Sequence, residues 1–215
     1  MVVKKIMFIK RVFDIIVSLM GLLFLVPVLL VIALLIKLRM GGAVFFSQSR
    51  VGRNAHPFKM IKFRSMQAVH NGSSITVKGE SRITPLGAVL RKYKLDELPE
   101  LWNVLKGEMS MVGPRPDVPG YADKLIGSDR LVLSIRPGIT GPASLKYSNE
   151  EEILALQKYP YNYNEEVIFP DKVRININYI QNWSFGLDLK IIIFTLLGLK
   201  LKETHLNRIT DMTFV

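Results

Sequence analysis

Cysteine is absent from this 215-residue chain, which excludes disulfides, zinc–thiolate sites and thiol catalysis. Histidine is scarce: His56, His70 and His205 stand far apart, so a histidine-based metal site is not expected. Acid is nearly missing from the first 66 residues, where Asp14 faces eleven Lys and Arg, giving that part a charge of +10. The other 149 residues hold eighteen bases and seventeen acids and are almost neutral. No Walker A loop, dinucleotide-binding glycine motif or His-Glu-x-x-His pattern occurs, so neither a P-loop nor a dinucleotide enzyme is indicated. The basic excess lies beside a hydrophobic run, and no basic helix stands apart from it. An anionic membrane surface is therefore the expected partner, and nucleic acid is not.

That run is Ile15–Ile36, 22 residues with Ser18 as its one clearly polar side chain. As a straight helix it would be about 33 Å long, enough for a hydrocarbon core of about 30 Å. It is too long for the core of a cleaved signal peptide. Pro27 sits near its middle, where a proline removes a hydrogen bond and crowds the preceding turn. Both flanks are basic, with Lys4, Lys5, Lys10 and Arg11 before and Lys37 and Arg39 after. The positive-inside rule places such residues on the cytoplasmic side. A hairpin bent at Pro27 satisfies both flanks and a spanning helix satisfies one, yet proline-kinked spans are common. Both readings stay open on composition.

After Gly41-Gly42, the segments 43–47 and 58–63 read as two strands of a hairpin. Residues 67–83 are polar and irregular and read as a loop. Thr84-Pro85 reads as an N-cap followed by proline at the first helical position, opening a helix to about Lys94. A second helix is expected from about Asp96, with Leu98, Leu101, Trp102 and Leu105 on one face. Ser148 is expected to cap a third, with Glu150, Glu151 and Glu152 in its first turn, and 171–182 reads as a fourth. In 183–202, Asp188 and Lys190 interrupt an apolar stretch, which favours an interfacial helix with Trp183 at headgroup level over a second span.

The chemistry concentrates at Lys94-Leu95-Asp96-Glu97-Leu98-Pro99. Asp96 and Glu97 point about 100° apart on a helix, so they cannot face each other as acid and base. At a helix start, where phosphate is attracted, an ionised carboxylate can attack phosphorus, and a second can help hold Mg²⁺. The plain alternative is that Asp96 caps and Glu97 complements the dipole. Gly113-Pro114-Arg115-Pro116 mounts an arginine stiffly between prolines, suited to a bidentate phosphate contact. Arg136-Pro137-Gly138 repeats the pairing, while Arg91, Lys62 and Arg64 lie in nearby segments. Taken singly, each of these bases could equally be a solvated surface charge.

The ordered strings Lys10-Arg11-Val12-Phe13-Asp14, Gln48-Ser49-Arg50-Val51-Gly52, Lys62-Phe63-Arg64-Ser65-Met66, Leu95-Asp96-Glu97-Leu98-Pro99, Trp102-Asn103-Val104-Leu105-Lys106-Gly107-Glu108, Val112-Gly113-Pro114-Arg115-Pro116 and Arg136-Pro137-Gly138-Ile139-Thr140-Gly141 together resemble the bacterial sugar transferases, the monotopic polyprenyl-phosphate phosphoglycosyl transferases. The resemblance covers residues 10–200. It implies an α+β, mainly helical fold with three parts. A re-entrant membrane helix broken at Pro27 would occupy residues 1–40. Residues 41–202 would form a catalytic domain with a small β-hairpin and interfacial amphipathic helices on the membrane surface, and 203–215 a tail. It implies that Asp96 attacks the β-phosphate of a UDP-sugar, expels UMP and passes the phosphosugar to undecaprenyl phosphate. Asp96 and Glu97 would hold Mg²⁺, and Lys62, Arg91, Arg115, Pro116 and Arg136 would bind substrate. It further implies the cytoplasmic face of a bacterial inner membrane, the first membrane step of a surface-glycan assembly, and room for a homodimer. The chain resembles the minimal catalytic unit of larger relatives. Three positions depart from the pattern: Val26 before Pro27, Pro142-Ala143-Ser144 after Gly141, and Asn176 in place of an aspartate. A non-catalytic membrane scaffold of the same fold is the alternative that these departures motivate.

Overall fold

The computed structural model describes residues 2–67 and 82–199; the 68–81 segment and the 203–215 tail lie outside them. Its longest element is α1 (Val2–Met40), which runs helically through Pro27. The break expected at Pro27 is therefore not a gap in the helix. A proline deletes one N–H donor, and the remaining backbone groups are still best satisfied by helical bonds where no water can replace them. The apolar part of α1 has a mean hydropathy of 3.1 over its most apolar window, of which only 11% is buried. Leu23, Phe24 and Leu30 lie bare at 66%, 84% and 65% exposure, a surface that water would not tolerate at this extent.

Both halves of α1 pack on the rest of the chain. On the N-terminal side Asp14 accepts hydrogen bonds from the Met111 N–H (2.9 Å) and the Ser110 hydroxyl (3.1 Å). On the C-terminal side Ile32 and Ile36 join Phe63 and Leu90 in an apolar cluster.

Strands β1 (Phe45–Val51) and β2 (Pro57–Phe63) form the expected antiparallel hairpin, with Val51 opposite Pro57. Helix α2 (Pro85–Lys92) opens as its sequence dictates, the Thr84 hydroxyl accepting from the Gly87 N–H at 2.9 Å. A tight 3₁₀ turn at Leu95–Glu97 leads into α3 (Glu100–Lys106). Strands β3 (Ser110–Val112) and β4 (Gly138–Thr140) pair in parallel. A Cβ on Gly138 would lie 2.1 Å from the Gly113 nitrogen, so only glycine admits this approach. Short helices α4 (Pro142–Lys146), α5 (Glu150–Ala155) and α6 (Pro160–Tyr163) follow. Then come α7 (Phe169–Gln181) and α8 (Phe185–Leu196). The mainly helical architecture with one small hairpin is as expected.

One local expectation is corrected. Asn149, not Ser148, precedes α5, and no side-chain cap bond forms there; Glu150 and Glu151 are instead drawn into ion pairs with Lys172 and Arg91. Asp188, in the first turn of α8, is 2% exposed and turned into the protein core. The Lys10 ammonium (2.5 Å), the Tyr179 hydroxyl (2.6 Å) and the Trp183 indole N–H (2.9 Å) all donate to it. Pairing this full offsets much of the cost of burying the charge.

Candidate active site

Lys94 adopts the left-handed region (φ 57°) and turns the chain sharply into the 3₁₀ turn that carries Asp96 and Glu97. The regular helix begins only at Glu100, just after Pro99, later than the expected start near Asp96. Asp96 and Glu97 therefore precede α3 and do not sit in its first turn. The positive field comes instead from side chains. Lys62, at the end of β2, places its ammonium 2.8 Å from Glu97 Oε1 and 3.1 Å from Glu100 Oε1. Arg115 donates to the same Glu97 oxygen, from a loop stiffened by Pro114 and by Pro116, which is buried. The Pro116 carbonyl accepts from the Arg50 guanidinium at 3.1 Å, so this proline serves as the mount for Arg115.

Asp96 is 6% exposed, and its Oδ1 has no hydrogen-bond partner. Burial pushes its carboxyl above the ordinary range and the Glu97 charge adds to this, while Lys62, Arg91 and Lys94 pull it back. Glu97 is the opposite case. Burial would raise it, but Arg115 and Lys62 outweigh burial and hold it well below the usual carboxylate range. Arg115 is correspondingly held above its ordinary value, first by Glu97. The two adjacent carboxylates are thus pushed apart, one locked in an ion cluster and one buried with a free oxygen. Such divergence marks functional sites.

The structure brings Asp96, Glu97, Lys62 and Arg115 together. Arg91 lies near enough to act on Asp96 electrostatically but spends its guanidinium on Glu151. Arg136 does not join this cluster. Its Nε donates 2.7 Å to the Gly107 carbonyl, at the far end of α3, where Arg11 also bonds the carbonyls of Val104 and Leu105 at 2.6 and 2.7 Å. Arg136 and Arg11 therefore cap α3 from behind.

Three participants were missed in the sequence. Glu100 is 1% exposed and raised by burial; its spacing of three from Glu97 put it on the same face of a helical turn. Asn103 is fully buried and locks α3 to β2, accepting from the Ile61 N–H (3.1 Å) and donating to the Lys59 carbonyl (2.8 Å). Asp117 is pushed up to about 6 by burial, against Lys172 and Arg50; no local pattern marked it.

Among the described residues no three metal-ligating side chains form a ready cage. Mg²⁺ takes few protein ligands, completing its shell with water and substrate phosphate. The free Oδ1 of buried Asp96, beside the ionised Glu97, fits such a partial site.

A buried carboxylate with an unpartnered oxygen, beside a cluster of cations of the kind that meet phosphate, on a body carrying an unburied apolar helix, is the arrangement of a membrane-associated group-transfer enzyme. The bacterial sugar transferase family matches residues 5–201, and the chain belongs to it. It is 32% identical over 206 residues to the exopolysaccharide production protein ExoY of Sinorhizobium fredii, covering 87% of this chain and 83% of that one. It is 38% identical to a UDP-glucose:undecaprenyl-phosphate glucose-1-phosphate transferase of Klebsiella pneumoniae, covering 86% of this chain and 39% of the relative. A UDP-N-acetylgalactosamine-undecaprenyl-phosphate N-acetylgalactosaminephosphotransferase of Aeromonas hydrophila is 34% identical, over 88% of this chain and 43% of the relative. The chain spans less than half of these two named transferases.

Proposed function

We propose that this enzyme transfers a sugar-1-phosphate from a UDP-sugar to undecaprenyl phosphate in two steps, as the opening membrane reaction of a surface polysaccharide such as exopolysaccharide or capsule. The observation that carries this reading is Asp96, buried, with an unpartnered Oδ1 beside the Lys62–Glu97–Arg115 cluster. In the first step an Asp96 oxygen attacks the β-phosphorus. The bond from that phosphorus to the bridging oxygen breaks, and UMP leaves with the electron pair. In the second step an oxygen of the lipid phosphate attacks the same phosphorus and Asp96 is released as a carboxylate. No proton need be moved in either step. Lys62 and Arg115 neutralise the phosphoryl oxygens as charge builds on them, and Glu97 keeps both cations in place. Asp96 and Glu97 would hold Mg²⁺, which supplies charge neutralisation of the diphosphate.

In our reading α1 is re-entrant, bending within a continuous helix at Pro27 and leaving both ends on the cytoplasmic face of the inner membrane. What supports this is that Asp14 and Ile36, on opposite sides of Pro27, pack on one folded body. A straight span would carry one of these contacts to the other leaflet. The apolar side of α8, with Ile193 and Leu196 exposed at 52% and 80%, would rest in the same interface.

The nucleotide product tests the chemistry. UMP release from a UDP-sugar, with undecaprenyl phosphate present, is expected, and Asp96→Asn should lower turnover by about 10³-fold or more and leave no phosphosugar on the protein. Release of UDP, or full activity in Asp96→Asn, would overturn the mechanism.

A further inference from the structure

Two residues along the loop from Arg115 lies a second polar group that the phosphate chemistry does not use. Asp117 follows Pro116 on the same stiff loop, and its backbone is pinned: its carbonyl accepts from the Val51 N–H at 2.9 Å. Its carboxylate has no hydrogen bond from any described side chain. The cations acting on it most are Lys172 and Arg50, on α7 and β1. Lys172 donates to Glu150 Oε2 at 2.6 Å, and Glu150 also acts on Arg115. One helical turn beyond Lys172, on the same face of α7, Asn176 is 7% exposed with an unpartnered Oδ1. Leaving a buried polar atom unmet is costly. Val51, whose N–H holds the Asp117 carbonyl, packs in one apolar cluster with Val173 of α7, so the Asp117 loop and α7 adjoin.

Alternating carboxylate acceptors and ammonium donors suit hydroxyl groups, each of which both donates and accepts. The donor's diphosphate is flanked by two hydroxyl-rich rings, the sugar and the ribose. We propose that Asp117, with Lys172 and Asn176, binds a hydroxyl pair of the nucleotide sugar next to the diphosphate and so sets donor selectivity. This rests on the reading of the chain as a UDP-sugar enzyme.

The test uses the full-length protein in detergent or nanodiscs with undecaprenyl phosphate. The donor is whichever of UDP-glucose, UDP-galactose and UDP-N-acetylgalactosamine the wild type turns over, with UMP release as the readout. Asp117→Asn and Asp117→Ala should raise the donor KM about tenfold or more, as loss of a hydrogen bond to a charged group does, with kcat within about threefold and the melting temperature not lowered. Monodeoxy donors then place the contact. The analogue lacking the recognised hydroxyl should have the same KM in wild type and Asp117→Asn. If that analogue is a deoxyhexose, the site reads the sugar; if it is the 2′-deoxyribose form, it reads the nucleoside. A KM unchanged in both variants, or a wild-type-to-variant ratio retained by every deoxy donor, would overturn the assignment while leaving the transferase reading intact. Failure of the wild type to release UMP from any of the three donors would remove the transferase reading and this one with it.

Discussion

Lys10 and Asp188 meet at 2.5 Å across 178 positions of sequence, both almost fully buried. The pair ties the start of the membrane helix to α8, and Tyr179 and Trp183 complete the shell around the carboxylate.

Removing one partner of this pair strands the other charge. Asp188→Asn is expected to cost about 3–5 kcal/mol, seen as a drop of roughly 10 °C in melting temperature. The double change Lys10→Met with Asp188→Leu should recover most of it. A double variant no more stable than Asp188→Asn alone would show that the ionic character itself matters.

Asp96 is held against the fold's own preference. Its carboxyl is raised by burial, so the burial cost falls on the ionised form. That cost is absent below the ordinary Asp range and grows as pH rises through the raised value. Asp96→Asn should therefore melt a few degrees above wild type near neutral pH, about 2–4 °C per kcal/mol, and the gap should close toward pH 4. A lower melting temperature at every pH would contradict this.

Lys62 is among the cations that pull the Asp96 carboxyl down. In Lys62→Met the Asp96 carboxyl should rise further. The acid limb of the residual UMP-release profile should then move to higher pH, on top of a fall in rate of about 10²-fold. An acid limb that stays in place would dissociate the two residues.

Gly87 separates helix propensity from packing. On propensity alone alanine would gain about 1 kcal/mol there. Its Cβ would, however, lie 1.8 Å from the Ser65 carbonyl oxygen, a backbone atom that cannot swing aside. Gly87→Ala should cost about 3 kcal/mol or more and dislodge α2, with chemical denaturation as the measurement.

With no native cysteine, single Lys4→Cys and Arg39→Cys variants report topology directly. A membrane-impermeant maleimide should label both from the cytoplasmic side of inverted vesicles. Labelling from opposite sides would restore a spanning helix.

Elements with a local cause can be read from the order of the residues alone. The apolar run Ile15–Ile36, the Thr84-Pro85 start of α2, the β1–β2 hairpin and the Asp96–Glu97 pair were legible because composition, capping and spacing act over a few residues. Relations between distant segments emerge only on folding. Residues far apart in sequence carry no sign that Lys10 will neutralise Asp188, that Lys62 and Arg115 will converge on one Glu97 oxygen, or that Arg136 will cap the back of α3 instead of joining Asp96. Those outcomes follow from which charges the packing buries together. Burial makes a partner obligatory, while an isolated charge in a sequence can always be left to water.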